Sequence, residues 1–314
     1  MKHVLILKLG ATGDVVRTTP ILRHINARFT WVTAKKNVIL LQGLNDALLP
    51  LAWEERHLVP DVKFDLVINL EDTLDVSSYV KALKYSQLFG AYADDNDVLR
   101  YTDDSARWFD LSLISKFGRQ EADRLKLLNR HTYQTLIFEG LGLRFKGDSY
   151  LLPKGQVTDL SGDIAMSPEA GPVWPMKNWA YYSELKSQLE ARGLSVNVLP
   201  LRASLLEHLG DVQAHRCLVS GDSLPMHFAL GTGTRCVSLF TCTSPHEIHD
   251  YGIQQKLVSP LLAQFFFKRG YDRRATTTIS VEQVLSAVMK QLESAISAST
   301  AGSKTRASAQ PQVL

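Results

Sequence analysis

Apolar positions along the chain fall into short runs separated by longer amphipathic stretches. In the first half, Val4–Leu9, Thr30–Thr33, Val67–Leu70 and Leu88–Tyr92 read as strands. In the second half, Ile164–Pro168, Ser195–Leu199, Cys217–Ser220 and Cys236–Thr241 read the same way. Runs this short, bounded by turn residues, fit buried strands. Between them lie helical segments: one starting at Asp14, residues 111–142 anchored by Leu113, Ile114, Leu125, Leu127 and Leu128, then 178–192, 203–210, a short helix after Ser223, and 280–294. Strand–helix alternation argues for parallel sheets covered by helices. A polar stretch, 94–104, reads as a loop with a hairpin.

A boundary falls near Leu152–Gln156, after which the alternation restarts. The expected organisation is two Rossmann-like α/β domains, 1–155 and 156–295, facing each other across a cleft. Residues 296–314 turn to Ser, Ala, Thr and Gln and read as a disordered tail. The chain of 314 residues is 45% hydrophobic, enough for two cores of ordinary size. A formal net charge of +3 gives no case for nucleic acid as a partner. Cys217, Cys236 and Cys242 have no metal-ligand spacing, and so sparse a set fits a reducing, cytoplasmic setting. The N-terminal apolar run is interrupted by Lys8, and no stretch reaches the ~20 apolar residues needed to span a bilayer.

Two strand-to-helix junctions carry the candidate chemistry. The first runs from Val4–Leu9 through Gly10-Ala-Thr-Gly13-Asp14 into Val15-Val-Arg17. Its glycines permit close backbone approach, but a carboxylate is a poor neighbour for a pyrophosphate. Asp14 is therefore either a helix cap or a group that takes a proton, kept ionised by the helix start. The second runs from Cys217–Ser220 through Gly221-Asp222-Ser223 into Leu224-Pro-Met-His227. A helix start offers unpaired N–H groups and a positive dipole end, a receptor for phosphate or diphosphate. His227 lies one turn beyond Ser223 and so faces the same side. Alternatively, Asp222 or Ser223 caps an ordinary helix and His227 is packed. Glu71-Asp72 follow the strand Val67–Leu70 and belong on the same rim as Asp14. Asp95-Asn-Asp97 reads as loop solvation, not a metal motif. Lys35-Lys36 reads as a surface pair, and the aromatics of Phe265–Tyr271 as packing.

The two junctions together resemble glycosyltransferase family 9, which includes the ADP-heptose:lipopolysaccharide heptosyltransferases. The matching residues are Gly13-Asp14 with Pro20 behind them, then Asp222-Ser-Leu-Pro-Met-His227-Phe-Ala, then Phe240-Thr-Cys-Thr-Ser-Pro245. Val173-Trp-Pro-Met-Lys177-Asn-Trp179 echoes a further family segment. The chain departs from the family pattern at Leu224, Thr241 and Cys242, and Pro172 stands where a donor-contacting Lys is expected. Lys177, one turn into the following helix, is the candidate to replace that Lys.

The resemblance implies the GT-B architecture and an inverting glycosyltransferase. It would move a sugar, heptose first among the candidates, from an ADP-activated donor to a hydroxyl of a glycan, lipid-linked or protein acceptor. Asp14 would be the catalytic base. Ser167, Gly171, Lys177, Asp222, Ser223, Leu224, His227, Thr243 and Ser244 would bind the donor. Gly13, Arg17, Glu71 and Asp72 would bind the acceptor. No cofactor and no metal are implied, and a peripheral contact with the inner membrane face suits a lipid-linked acceptor. The alternative is a nucleotide-sugar-binding protein that has lost transfer.

Overall fold

A computed structural model describes residues 1–307, with side chains described through residue 294. The expected tail, 296–314, lies outside the residues whose side chains are described. The chain groups into two compact units. The first comprises 1–156 together with Arg202–Leu209 and Thr243–Tyr251; the second comprises Val157–Leu201, Gly210–Cys242 and 252 onward. Two short pieces of the second half therefore pack with the first unit.

The first unit is built on a six-stranded sheet in the order β3-β2-β1-β4-β5-β6. Its strands are β1 (Lys2–Leu7), β2 (Ala27–Thr33), β3 (Leu48–Ala52), β4 (Phe64–Asn69), β5 (Tyr85–Ala93) and β6 (Leu99–Tyr101). All neighbours run parallel except β5 and β6, which form the hairpin expected from the polar loop. In that hairpin turn Asp97 takes a left-handed conformation (φ 56°), and Lys81 lies within 3.7 Å of both Asp95 and Asp97. Helices on the two faces bury separate clusters. Val4, Ile6, Trp31 and Ile68 pack with Tyr133 and Ile137. Leu5, Leu7 and Val67 pack with Val76 and Val80.

The second unit carries an all-parallel sheet in the order β11-β10-β9-β7-β8. Its strands are β7 (Gly162–Ser167), β8 (Val196–Val198), β9 (His215–Gly221), β10 (Arg235–Phe240) and β11 (Gln254–Val258). Ile164, Met166, Cys217, Val219, Val237 and Leu239 form its core with Leu185, Leu189, Val284 and Val288 from the covering helices. Cys217 and Cys236 are fully buried core residues. The last helix spans Val281–Ala307. Among the described residues no helix is long and apolar enough to cross a membrane.

The element bounds differ from the sequence reading where local chemistry interrupts a period. The helical stretch expected over 111–142 is two helices, Arg119–Leu128 and Tyr133–Gly140. Asn129 ends the first, and Thr132 caps the second by accepting from the Thr135 amide at 3.1 Å. The helix expected over 178–192 begins only at Tyr182. Trp179 lies before it, its indole N–H donating to the Ile279 carbonyl at 2.8 Å.

The strand orders locate two places where chemistry can gather. In the first sheet the chain leaves β1 for β2 on one side, and later returns to place β4 on the other. In the second sheet β7 is flanked in the same way by β8 and β9. At such a switch point the segments leaving the carboxyl ends of the two central strands diverge and open a crevice. The residues just past β1 and β4 include Asp14 and Glu71; those just past β7 and β9 include Asp222 and Ser223.

Candidate functional site

The first unit gathers charge at its switch point. Asp14 sits at the third position of the helix Thr12–Thr18; the N-cap is Ala11, so Asp14 is not the cap. Its Oδ1 lies 2.9 Å from Arg17 Nη2, and its Oδ2 lies 3.9 Å from Lys8 Nζ. Lys8 in turn donates to Glu71 Oε1 at 2.7 Å, and the Leu9 amide donates to the same oxygen at 2.8 Å. Asn37 closes the turn from the other side, donating to the Leu9 carbonyl at 2.7 Å and accepting from the Thr12 hydroxyl at 2.8 Å. Lys35 and Lys36, just before it, are exposed.

Exposure separates the members of this cluster. The Lys8, Arg17 and Glu71 side chains are 8%, 11% and 12% exposed, whereas that of Asp14 is 29% exposed. The carboxylate at the mouth is the one group a substrate hydroxyl can reach most easily. Burial alone would pull the Lys8 ammonium down, but the charges of Asp14 and Glu71 outweigh it and hold it above the usual lysine range. Arg17 lies over the Tyr133 ring, 4.0 Å from its centre. Burial pushes the Tyr133 phenol up to about 12, with Lys8 opposing the shift and Asp14 adding to it.

The segment Thr243–Tyr251 completes the cluster. Ser244 opens the turn Pro245–Glu247 and accepts from the His246 amide at 3.3 Å. Glu247, 9% exposed at its side chain, lies 3.9 Å from Arg17 Nη1 and 3.4 Å from Lys126 Nζ. Thr243 and Ser244, expected among the donor-binding residues, are buried and group with the first unit. Gly13, Arg17, Glu71 and Asp72 all lie at this rim. Glu71 is engaged by Lys8 and the turn backbone, which makes it a brace for the Asp14 turn, and Asp72 follows it half-buried.

The second unit presents a different arrangement. The helix Leu224–Thr232 follows β9 directly, with Ser223 at its N-cap and Pro225 in its first turn. Ser223 does not cap through its side chain; its hydroxyl leans 3.4 Å toward the Gly221 carbonyl. Lys177, on the turn Pro175–Lys177, reaches this helix start. Its ammonium donates to the Asp222 carbonyl oxygen at 2.6 Å and to Asp222 Oδ2 at 3.1 Å. Three contacts hold that turn in place. Besides Asp222, the Thr241 hydroxyl donates to the Met176 carbonyl at 2.6 Å, and Gly221 packs so closely that a Cβ there would sit 2.9 Å from the Lys177 carbonyl oxygen. The result is a fixed cation beside an uncapped helix start, a pair suited to an anion.

The other expected donor residues fall around this point unevenly. His227 is buried one turn into the same helix, and Ser167 ends β7 in register with Ser220 of β9. Gly171 lies out on the exposed loop after β7 with open space where a Cβ would be. Cys242 is buried with Met176, Phe265 and Ala275, and burial pushes its thiol up, away from reactivity.

Several residues of these clusters are absent from the sequence reading of the site. Lys8 left a signal, a lone charge at the end of an otherwise apolar strand. Lys126 left one as part of the basic run over 111–142, but Asn37, Tyr133 and Glu247 left none, because each meets its partner through the fold.

No protein-family model matches the sequence, and no curated protein matches it either. Solved structures do. A family 9 glycosyltransferase from Veillonella parvula superposes with a TM-score of 0.61 at 16% identity, covering 93% of this chain and 97% of its own. The fold is that of the family 9 glycosyltransferases. The Escherichia coli heptosyltransferase WaaC, solved with ADP, gives a TM-score of 0.58 at 15% identity over 93% of this chain and 98% of its own. The Escherichia coli ADP-heptose lipopolysaccharide heptosyltransferase II gives 0.57 at 16% over 94% and 99%. The chain therefore has the GT-B type of fold, with two α/β parallel sheets. Within that fold its departures are accommodated locally. Leu224 is the first residue of an ordinary helix, where a glycine is not required, and Thr241 uses its hydroxyl to hold the Lys177 turn.

Proposed function

We propose that this protein is an inverting glycosyltransferase that moves a sugar from a nucleoside-diphosphate donor to a hydroxyl of a glycan-type acceptor. The observation that carries the reading is Asp14: the most open carboxylate of its cluster, at a topological switch point, flanked by two buried cations. In this reading Asp14 takes the proton from the acceptor hydroxyl. The oxygen attacks the anomeric carbon from the face opposite the leaving diphosphate, the carbon–oxygen bond to the diphosphate breaks, and the configuration inverts. The departing charge falls on Lys177, Ser223 and the start of the Leu224–Thr232 helix, which stabilise it as it develops. A protein that only binds nucleotide sugars has no use for a carboxylate placed like Asp14.

The donor class is proposed as ADP-activated, with heptose as the sugar. Support comes from the fold shared with heptosyltransferases, one of them solved with ADP and again with an ADP-2-deoxy-2-fluoro heptose. The acceptor is proposed as a cell-envelope glycan, with a lipopolysaccharide core sugar the leading case, and the reaction as cytoplasmic and metal-independent. A thermal-shift series of ADP, UDP and GDP sugars tests the donor. A donor at 100 times its Kd adds roughly 2.7 kcal/mol of stability. The reading expects ADP compounds to raise Tm most and chelator to leave transfer intact. A larger shift from UDP or GDP sugars contradicts the ADP assignment.

A further inference from the structure

We infer that Glu247 is a positioning residue for Asp14, acting through the Arg17 guanidinium that the two carboxylates share. The inference rests on Asp14 being the base. Arg17 is held between three groups: Asp14 at 2.9 Å, Glu247 at 3.9 Å, and the face of Tyr133 at 4.0 Å. Glu247 is itself held by Lys126 at 3.4 Å, so it is fixed from a second direction.

A general base works best when it is ionised but still willing to accept a proton. Two cations against one exposed carboxylate would make Asp14 too weak a base, since each opposite charge favours the ionised form. The cluster answers this with a second carboxylate for each cation. Glu71 takes Lys8, and Glu247 takes part of Arg17. The facing groups are Lys8 and Glu71 at the ends of β1 and β4, Arg17 on the Asp14 helix, Lys126 and Tyr133 on the two following helices, and Glu247 on its turn. Of these, Glu247 alone comes from the segment that starts with Thr243 and Ser244. The strength of the base is thereby tied to the seating of that segment.

The test is a carboxyl carbon-13 titration of the full chain labelled at aspartate, with the Asp14 resonance identified by its loss in Asp14→Asn. Glu247→Gln removes a negative charge and leaves Arg17 to Asp14, so the Asp14 midpoint should fall by about half to one pH unit, the scale of a neighbouring charge. Lys126→Gln frees Glu247 to draw on Arg17, so the midpoint should rise. The acid limb of the kcat/KM profile should follow each shift. Melting curves establish that each variant is folded, and if Glu247→Gln is not, Lys126→Gln decides alone. A folded variant with an unmoved Asp14 midpoint overturns the inference, because a merely structural Glu247 would change stability and not this titration. The base assignment fails separately, by normal turnover in Asp14→Asn.

Discussion

The two switch points of this molecule use the same ingredients in different ways. At the first, an open carboxylate stands in front of buried cations. At the second, a cation and a carboxylate are paired beside a helix start, neither standing far out of its surroundings. The Asp14 region is arranged to present a negative group that can accept a proton. The Asp222 region instead holds Lys177 and Asp222 as a close pair, 11% and 17% exposed, beside the start of the Leu224–Thr232 helix. What separates the two places is therefore how far one charge stands out from its partners, as Asp14 does, rather than which residue types are present.

The largest expected effect breaks the first half of this comparison. Asp14→Asn keeps the shape of the side chain and removes its proton affinity. Turnover should fall by roughly 10²–10⁴-fold, the usual contribution of a positioned base. Lys8 keeps Glu71 and Arg17 keeps Glu247, so Tm should drop by no more than about 5 °C. Near-normal turnover in a well-folded variant would leave Asp14 a structural residue.

The next effect breaks the second half. Lys177→Met removes the fixed cation and its ion pair with Asp222. Donor affinity should fall by about 10- to 100-fold, matching the roughly 1.5–3 kcal/mol of a hydrogen bond to a charged group. Isothermal titration with the donor nucleotide measures it, and an unchanged Kd would separate Lys177 from the phosphates. Gly221→Ala sharpens the same point without touching charge. Its new Cβ would meet the Lys177 carbonyl at 2.9 Å, so the turn must shift. Stability should fall by about 1–3 kcal/mol, as for other overpacked sites, and donor affinity with it. Full stability in urea unfolding would show that the turn moves freely.

The smallest effect is on pH dependence. Tyr133 in the first unit has its phenol pushed up to about 12 from an ordinary value of 10, because the buried ring resists ionisation. Above pH 10 the unfolded chain therefore holds fewer protons than the folded one, and stability falls as pH rises from 10 to 12. Tyr133→Phe should flatten part of that loss in unfolding curves taken across the window. An equal slope in wild type and variant would assign the loss to other groups.

Much of this was legible in the chain. Central strands such as β1, β4 and β9 are apolar runs, and their junctions with helices announce themselves through Gly13-Asp14 and Asp222-Ser223. Two of the edge strands, β3 and β11, were not legible, whereas β8 was. β3 contains Pro50, tolerated because an edge strand need not donate on its open side, and β11 opens with Gln254-Gln-Lys. The same divide runs through the sites. Asp14 and Asp222 sit where local pattern points to them. Glu71 was placed on the right rim, but its partner Lys8 lies 63 residues away, and only the pairing of β1 with β4 brings them together. Glu247 is further still from Arg17 in sequence and carries no local mark. Lys177 was legible only as a substitute cation; its fixing by Thr241 and Gly221 needed the second sheet.

The central claim is the division of labour between the two regions, and donor affinity tests it most directly. Titrating the donor nucleotide into wild type, Asp14→Asn and Lys177→Met side by side should leave Asp14→Asn within about twofold of wild type, an energy difference well under 1 kcal/mol. Lys177→Met should lose at least about tenfold in the same experiment. If Asp14→Asn loses donor affinity as severely as Lys177→Met, the carboxylate is part of donor binding and the assignment of proton transfer to the first region is wrong.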